Sequence, residues 1–158
     1  MHIAYLLLGG NIGDRYQNLQ NGIGLLNNIG NVSATSSLYE TEAWGLTDQP
    51  AFINQVIVLQ TQLHPQQLMN ELLSIEQKLG RIRQEKFGPR VIDIDILLMD
   101  HLIIQTDSLT IPHPALHLRN FALTPLAEIA GNILHPVFNK TITELLKECP
   151  DKLDVKKI

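Results

Sequence analysis

Two aspartates alternate out of one apolar run, Val91-Ile92-Asp93-Ile94-Asp95-Ile96-Leu97-Leu98-Met99. Read as a strand, the run sets Ile92, Ile94, Ile96 and Leu98 on one face. Asp93 and Asp95 take the other, their Cα atoms roughly 7 Å apart. Carboxylates so placed repel by about 2 kcal/mol at an effective dielectric near 20, a cost that a bound cation removes. Magnesium takes oxygen ligands and is commonly held by one or two carboxylates, with substrate phosphates and water completing the octahedron. A solvated edge strand is the plain alternative, but the aspartate face turns apolar again at Leu97 and Met99. The pair therefore reads as a magnesium site for phosphoryl-type transfer from ATP.

Such a transfer needs further positive charge. The segment Gly80-Arg81-Ile82-Arg83-Gln84-Glu85-Lys86-Phe87-Gly88-Pro89-Arg90 holds four of the twelve Lys and Arg residues against one acid, and runs straight into the aspartate strand. Arginine presents planar paired donors suited to phosphate oxygens. Arg81 and Arg83 lie together in an extended chain, and Gly80 and Gly88 offer hinges for a closing loop. Downstream, Ile111-Pro112-His113-Pro114 pins an imidazole between two prolines, which restrict its backbone, and Arg119 follows. A histidine so held can hydrogen-bond a phosphate or a leaving group. The histidines at 2, 64, 101, 117 and 135 show no metal-ligand spacing and read as structural.

Aromatic residues make up only 5% of the chain, so Trp44, Phe52 and Phe121 draw notice. Asn54 shares a strand face with Phe52, and its amide both donates and accepts. Aromatics with an amide reading a polar edge suit a flat heterocycle, although core packing explains each residue taken singly. No Walker-type loop is present, and Gly9-Gly10-Asn11 reads as a turn, not as a dinucleotide fingerprint.

These side chains need a scaffold. Residues 3–8 read as a buried strand. Asp14 caps a helix marked by Leu19, Ile23 and Leu26. Strands are expected over 32–41 and 52–61, with a loop at 42–50 between them. Pro65 opens a second helix, with Leu68, Leu72, Ile75 and Leu79 on one face and Gly80 at its end. The strand over 91–99 is the clearest, and a short strand over 102–104 is expected to pair with it across Asp100-His101. Prolines break 111–158 into loops and short helices over 126–130 and 142–148. The order β-α-β-β-α-β matches an α+β ferredoxin-like sandwich: a mostly antiparallel sheet, helices on one face, and extra short C-terminal helices.

The 158 residues fit a single domain over 1–158. With 44% hydrophobic and 18% charged residues the composition is globular, and the net charge of −4 argues against a nucleic-acid partner. Cys149 is the only cysteine, so no internal disulfide can form, in keeping with a cytoplasmic location. No signal sequence or membrane-length apolar stretch is present, so no membrane partner is expected. A monomer is the expected state.

Taken together, Gly9-Gly10-Asn11, Gly80-Arg81-Ile82-Arg83, Phe87-Gly88-Pro89-Arg90-Val91-Ile92-Asp93-Ile94-Asp95-Ile96, Leu109-Thr110-Ile111-Pro112-His113-Pro114 and Arg119-Asn120-Phe121 resemble the 6-hydroxymethyl-7,8-dihydropterin pyrophosphokinase family, in the same order. The resemblance runs from Ala4 to about Ala130, and the Gly-Pro-Arg-x-x-Asp-x-Asp-Ile string is its most specific part. It implies transfer of pyrophosphate from ATP to the pterin's hydroxymethyl oxygen, giving AMP and the pterin diphosphate, a step of folate biosynthesis. It implies two magnesium ions on Asp93 and Asp95, catalytic roles for Arg81, Arg90, Asp93 and Asp95, and ATP contacts from Glu76, Arg81, Arg83, Arg90, His113 and Arg119. Thr41, Trp44, Phe52, Asn54 and Phe121 would form the pterin pocket. Phe87 stands where members often carry Trp, Phe52 where some carry Tyr, and Glu42-Ala43 where prolines are common. No residue stands out as a general base. The rival readings are a metal-dependent phosphohydrolase on the same aspartates and a ferredoxin-like nucleotide- or RNA-binding module. The latter lacks the aromatic-basic strand signature of an RNA-recognition sheet.

Overall fold

A computed structural model of the chain describes residues 1–42, 48–80 and 90–158. Its main sheet is built from β1 (His2–Gly10), β2 (Asn31–Thr35), β3 (Tyr39–Thr41), β4 (Phe52–Thr61), β5 (Asp93–Met99) and β8 (Val155–Lys157). The strand order is β5-β1-β4-β3-β8, with β2 also paired to β4, and every neighbouring pair is antiparallel. Helices α1 (Arg15–Leu26) and α2 (Pro65–Lys78) make the two crossovers, so the expected ferredoxin-like α+β order holds.

The central strands β1, β4 and β5 are buried on both faces. Leu6, Leu8, Ile57, Leu59, Ile94 and Ile96 pack with Leu19, Leu26, Leu68, Leu72 and Ile75 of α1 and α2. On the opposite face Leu7, Val56 and Leu97 pack with Leu123, Leu126, Ile142 and Leu145 of α3 (Asn120–Ala130) and α4 (Ile142–Glu148). Each such side chain contributes roughly 1.5–3 kcal/mol by leaving water. Capping agrees with sequence: the Asp14 carboxylate accepts from the Gln17 N–H, and Pro65 opens α2 at its first turn.

Several expectations need correction. The strand expected over 32–41 is divided into β2 and β3, because the three residues between Thr35 and Tyr39 oppose the two between Ile57 and Asn54. Buried Ser36 bridges the break, exchanging backbone and hydroxyl hydrogen bonds with Val56. The period of two fails in β5. Tyr5 pairs with Leu98 and Leu6 with Ile96, leaving Leu97 as the extra residue of a bulge. Leu98 therefore joins Leu97 on the α3 face, while Met99 returns to the α1/α2 face. The strand expected over 102–104 does not pair with β5. Instead β6 (Ile104–Gln105) pairs with β7 (Thr110–Ile111). The outer edge of β5 is already occupied: the Ile94 N–H donates to Glu76 Oε2 at 2.7 Å, and the His113 N–H donates to the Leu97 carbonyl at 3.0 Å. The helix expected over 126–130 begins earlier, at Asn120, and contains Pro125, whose missing N–H leaves the Phe121 carbonyl without its helical donor.

Candidate active site

The strand register brings five of the candidate residues to one end and one face of the sheet. Gly9 of β1 pairs with Asn54 on one side and Asp93 on the other. Two residues along, Leu7 faces Val56 and Asp95. Beyond Asn54, β3 adds Tyr39 opposite Asn54 and Thr41 opposite Phe52. Directly paired residues in an antiparallel sheet point to the same side. Thr41, Phe52, Asn54, Asp93 and Asp95 thus share the α3 face, with Asn54 and Asp93 about 10 Å apart at two strand spacings.

Glycine is required between them. A Cβ on Gly9 would lie 2.3 Å from Asn54 Oδ1, and one on Gly10 would lie 2.3 Å from the Val91 carbonyl oxygen. Side chains at either position would displace the Asn54 amide or lift the 90–91 backbone from the sheet end.

Cationic and aromatic groups close over this floor. Arg90 Nη1 donates to Asp93 Oδ2 at 2.9 Å, and its guanidinium stands 5.6 Å from the centroid of the Phe52 ring. The Arg119 guanidinium stands 5.6 Å from the Phe121 ring. Burial pulls the Arg119 pKa below its ordinary value, against the opposing pull of Asp95 and Asp93, yet a guanidinium remains charged at neutral pH. Burial, helped by Arg119 and opposed by Asp93, pushes the His113 pKa down to about 4. Its imidazole is neutral at pH 7. Nδ1 takes the Ala115 N–H at 3.1 Å, so the ring proton sits on Nε2, free to donate. The proline-flanked turn is fixed to β5 through the His113 N–H, and Ile111-Pro112 is a cis peptide.

Among the other candidates, Thr41 is buried, and its hydroxyl has no hydrogen-bond partner among the described residues. Glu76 reaches the region from α2, on the opposite layer, and its buried carboxylate holds the start of β5 through Ile94. Trp44, Arg81, Arg83 and Phe87 lie outside the described residues. Asn11 was missed in the sequence, where it read only as part of a turn. It is buried, and its Oδ1 accepts from the Arg90 N–H at 2.9 Å while its Nδ2 donates to Gln49 Oε1 at 2.8 Å and the Pro50 carbonyl at 2.9 Å. It ties the residue that leads into β5 to the segment that leads into β4. Only its place at the end of a Gly-Gly strand terminus hinted at this.

Asp93 and Asp95 form a pair of hard oxygen donors on one strand face. Among the described residues no group of three or more His, Cys, Asp or Glu side chains could hold a metal by itself. Two carboxylates fit magnesium that takes its remaining ligands from phosphate and water.

Carboxylates, arginines and a neutral imidazole around one end of a ferredoxin-like sheet give that end the groups needed to handle an anion and a cation. The family model for 7,8-dihydro-6-hydroxymethylpterin-pyrophosphokinase (HPPK) matches residues 5–131. A 2-amino-4-hydroxy-6-hydroxymethyldihydropteridine pyrophosphokinase of Aquifex aeolicus is 40% identical, over 94% of this chain and 92% of its own length. The protein of the same name from Haemophilus influenzae is 38% identical over 99% and 98%. The Folic acid synthesis protein fol1 of Schizosaccharomyces pombe is 38% identical across 95% of this chain but only 21% of its own. The chain belongs to the HPPK family, a family of pyrophosphokinases. The Plasmodium falciparum HPPK-DHPS structure with pterin and p-hydroxybenzoate superposes with a TM-score of 0.74 at 19% identity, over 93% of this chain and 41% of that one, and supports the fold alone. This chain spans less than half of that protein.

Proposed function

We propose that this enzyme transfers pyrophosphate from ATP to the hydroxymethyl group of 6-hydroxymethyl-7,8-dihydropterin, giving AMP and the pterin diphosphate. The observation that carries the reading is the register Asn54–Gly9–Asp93. It sets an amide able to read a heterocycle beside a glycine gap, and a carboxylate on the far side of that gap. A bicyclic ring laid over Gly9, between Phe52 and Phe121 and against Thr41, directs its hydroxymethyl arm toward the aspartates.

The reaction attacks the β-phosphorus with the hydroxymethyl oxygen, breaks the bridge between the α- and β-phosphates, and sends the hydroxyl proton to solvent. Asp93 and Asp95 would hold magnesium, two ions in the fuller reading, which would supply Lewis-acid neutralisation of the phosphate oxygens and lower the pKa of the attacking hydroxyl. Catalysis of this kind rests on positioning and charge. Arg90 is ready for that task, being held by Asp93 and stacked on Phe52. Arg119 adds positive charge from the α3 side, and His113 Nε2–H donates to phosphate without adding charge. Arg81 and Arg83 would complete the phosphate cradle, with Trp44 beside the pterin. Glu76 would serve ATP mainly by fixing the strand that carries the aspartates.

A monomer acting on two small molecules in the cytoplasm is the simplest setting. Among the described residues no helix is long and apolar enough to cross a membrane. Protein, ATP, magnesium and the dihydropterin should yield AMP and pterin diphosphate in equal amounts. ADP as product, or phosphate released without acceptor, would instead match a simple kinase or the phosphohydrolase reading.

A further inference from the structure

Helix α3 starts without a cap of its own. Arg119, at its N-cap position, makes no side-chain capping bond, and an exposed helix start leaves backbone N–H groups unsatisfied. The missing acceptor arrives from 31 residues away: Asp151 Oδ2 accepts from the Asn120 N–H at 3.0 Å. The other oxygen, Oδ1, accepts from the Leu153 N–H at 3.0 Å. Asn120 returns the contact, its Nδ2 donating to the Leu153 carbonyl at 3.3 Å while its Oδ1 accepts from Thr124 at 2.9 Å. The negative charge also favours the positive end of the helix.

Four residues further on, the same segment becomes β8. It pairs Val155 with Thr41, Lys156 with Glu40 and Lys157 with Tyr39, and the Ile158 N–H donates to the Leu38 carbonyl at 3.0 Å. A third tie joins the two elements directly: Glu128 of α3 accepts from the Tyr39 hydroxyl, the Ser37 N–H and the Ser37 hydroxyl of the β3 region. One short segment thus holds the first turn of α3, which carries Phe121, and the end of β3, which carries Thr41. It lies beyond the stretch 5–131 that the family model matches.

We infer that residues 151–157 are a positioning element for the acceptor pocket, with Asp151 acting through Asn120 on the α3 wall and β8 acting on the Thr41 wall. The inference rests on the proposed pterin reading, because Thr41 and Phe121 matter only if they line that pocket. β8 is hydrogen-bonded only to the Thr41 strand and merely packs against α3, whose first turn stays held by Asp151, so removing it loosens one wall and leaves Arg119 and the aspartates in place. Asp151 holds the turn that carries both Arg119 and Phe121, so its loss reaches both substrates.

The test compares wild type, a deletion of 155–158, Asp151→Ala and Asp151→Asn, all assayed well below their melting temperatures with fold checked by circular dichroism. The deletion should raise the KM for the dihydropterin about tenfold, as expected for a slightly displaced wall, with the dissociation constant for magnesium-ATP within twofold of wild type. Asp151→Ala should raise both constants, and Asp151→Asn, which keeps one acceptor oxygen, should recover part of the loss. A purely structural brace would lower the melting temperature of the deletion and of Asp151→Ala with both constants unchanged, and that result overturns the inference. If the deletion fails to fold, Asp151→Ala with Asp151→Asn decides alone by the same criteria. Failure of wild type to make AMP overturns the pterin reading and this inference with it, whereas normal wild-type turnover with unmoved constants overturns the inference alone.

Discussion

Gly9→Ala isolates the geometry on which the proposed acceptor recognition depends. The added Cβ would lie 2.3 Å from Asn54 Oδ1, 3.4 Å from Asn54 Cγ and 3.6 Å from the Ile53 carbonyl oxygen. The last two are ordinary contacts, so the conflict falls on the amide oxygen alone. A carbon and an oxygen rest no closer than roughly 3.3 Å, so the amide must retreat by about 1 Å. Asn54 is only 4% exposed, and the retreat has to be made by turning the amide out of its present plane. The fold survives, because the obstructing atom is the tip of a side chain. Overpacking of this kind costs about 1–3 kcal/mol of stability. Losing a buried amide hydrogen bond to the acceptor costs about 1–3 kcal/mol of binding, roughly a five- to hundred-fold rise in its KM. Calorimetric binding of magnesium-ATP should stay within twofold, since the change lies on the acceptor side of Gly9. In an Asn54→Ala background the same substitution should add little, because its only victim is gone. An acceptor KM within twofold of wild type, or equal losses for both substrates, would refute the assignment of Asn54 and Gly9.

Gly10→Ala should be worse for stability than Gly9→Ala, because its Cβ meets the Val91 backbone oxygen and no side chain can swing aside; urea unfolding of the two variants side by side measures the order. Glu76→Ala leaves the buried Ile94 N–H without its acceptor and should cost about 1–3 kcal/mol, whereas Glu76→Gln, which keeps an acceptor oxygen, should lose much less in the same denaturation assay. His113 is held near pKa 4 in the folded protein and returns to its ordinary value near 6.5 on unfolding. The unfolded chain therefore binds the extra proton between those limits, and stability should fall as pH drops from about 6.5 to about 4 while staying flat above 7. His113→Asn should flatten that part of the stability profile, as followed by urea midpoints across the range.

The sheet was legible because strands over 3–8 and 52–61 carry near-continuous apolar runs, and helices over 15–26 and 65–78 carry caps that act locally. What escaped was set by tertiary register. Nothing local in 97–99 announces the bulge that sends Leu98 to one face and Met99 to the other. The strand over 102–104 was given the wrong partner because the edge it would have used is taken by Glu76 and His113, residues distant in sequence. In the site, Asp93 and Asp95 could be read directly, since strand alternation alone puts them together. Asn54 needed β1 between it and the aspartates to gain its meaning. The ties of Asn11 to Arg90, Gln49 and Pro50 and of Asp151 to Asn120 reach partners far along the chain, and a single residue type carries no trace of such partners.

On the proposed reading, Asp93 and Asp95 hold the metal that makes pyrophosphate transfer possible, and Asp95→Asn tests this at nearly constant volume. The measurement is dihydropterin-dependent AMP formation at saturating magnesium-ATP, with folding confirmed by circular dichroism and thermal unfolding. Loss of metal charge stabilisation predicts a kcat lower by about a thousandfold, about 4 kcal/mol of transition-state stabilisation, in a protein that unfolds like wild type. A folded variant forming AMP within tenfold of the wild-type rate would remove the aspartate pair from the mechanism.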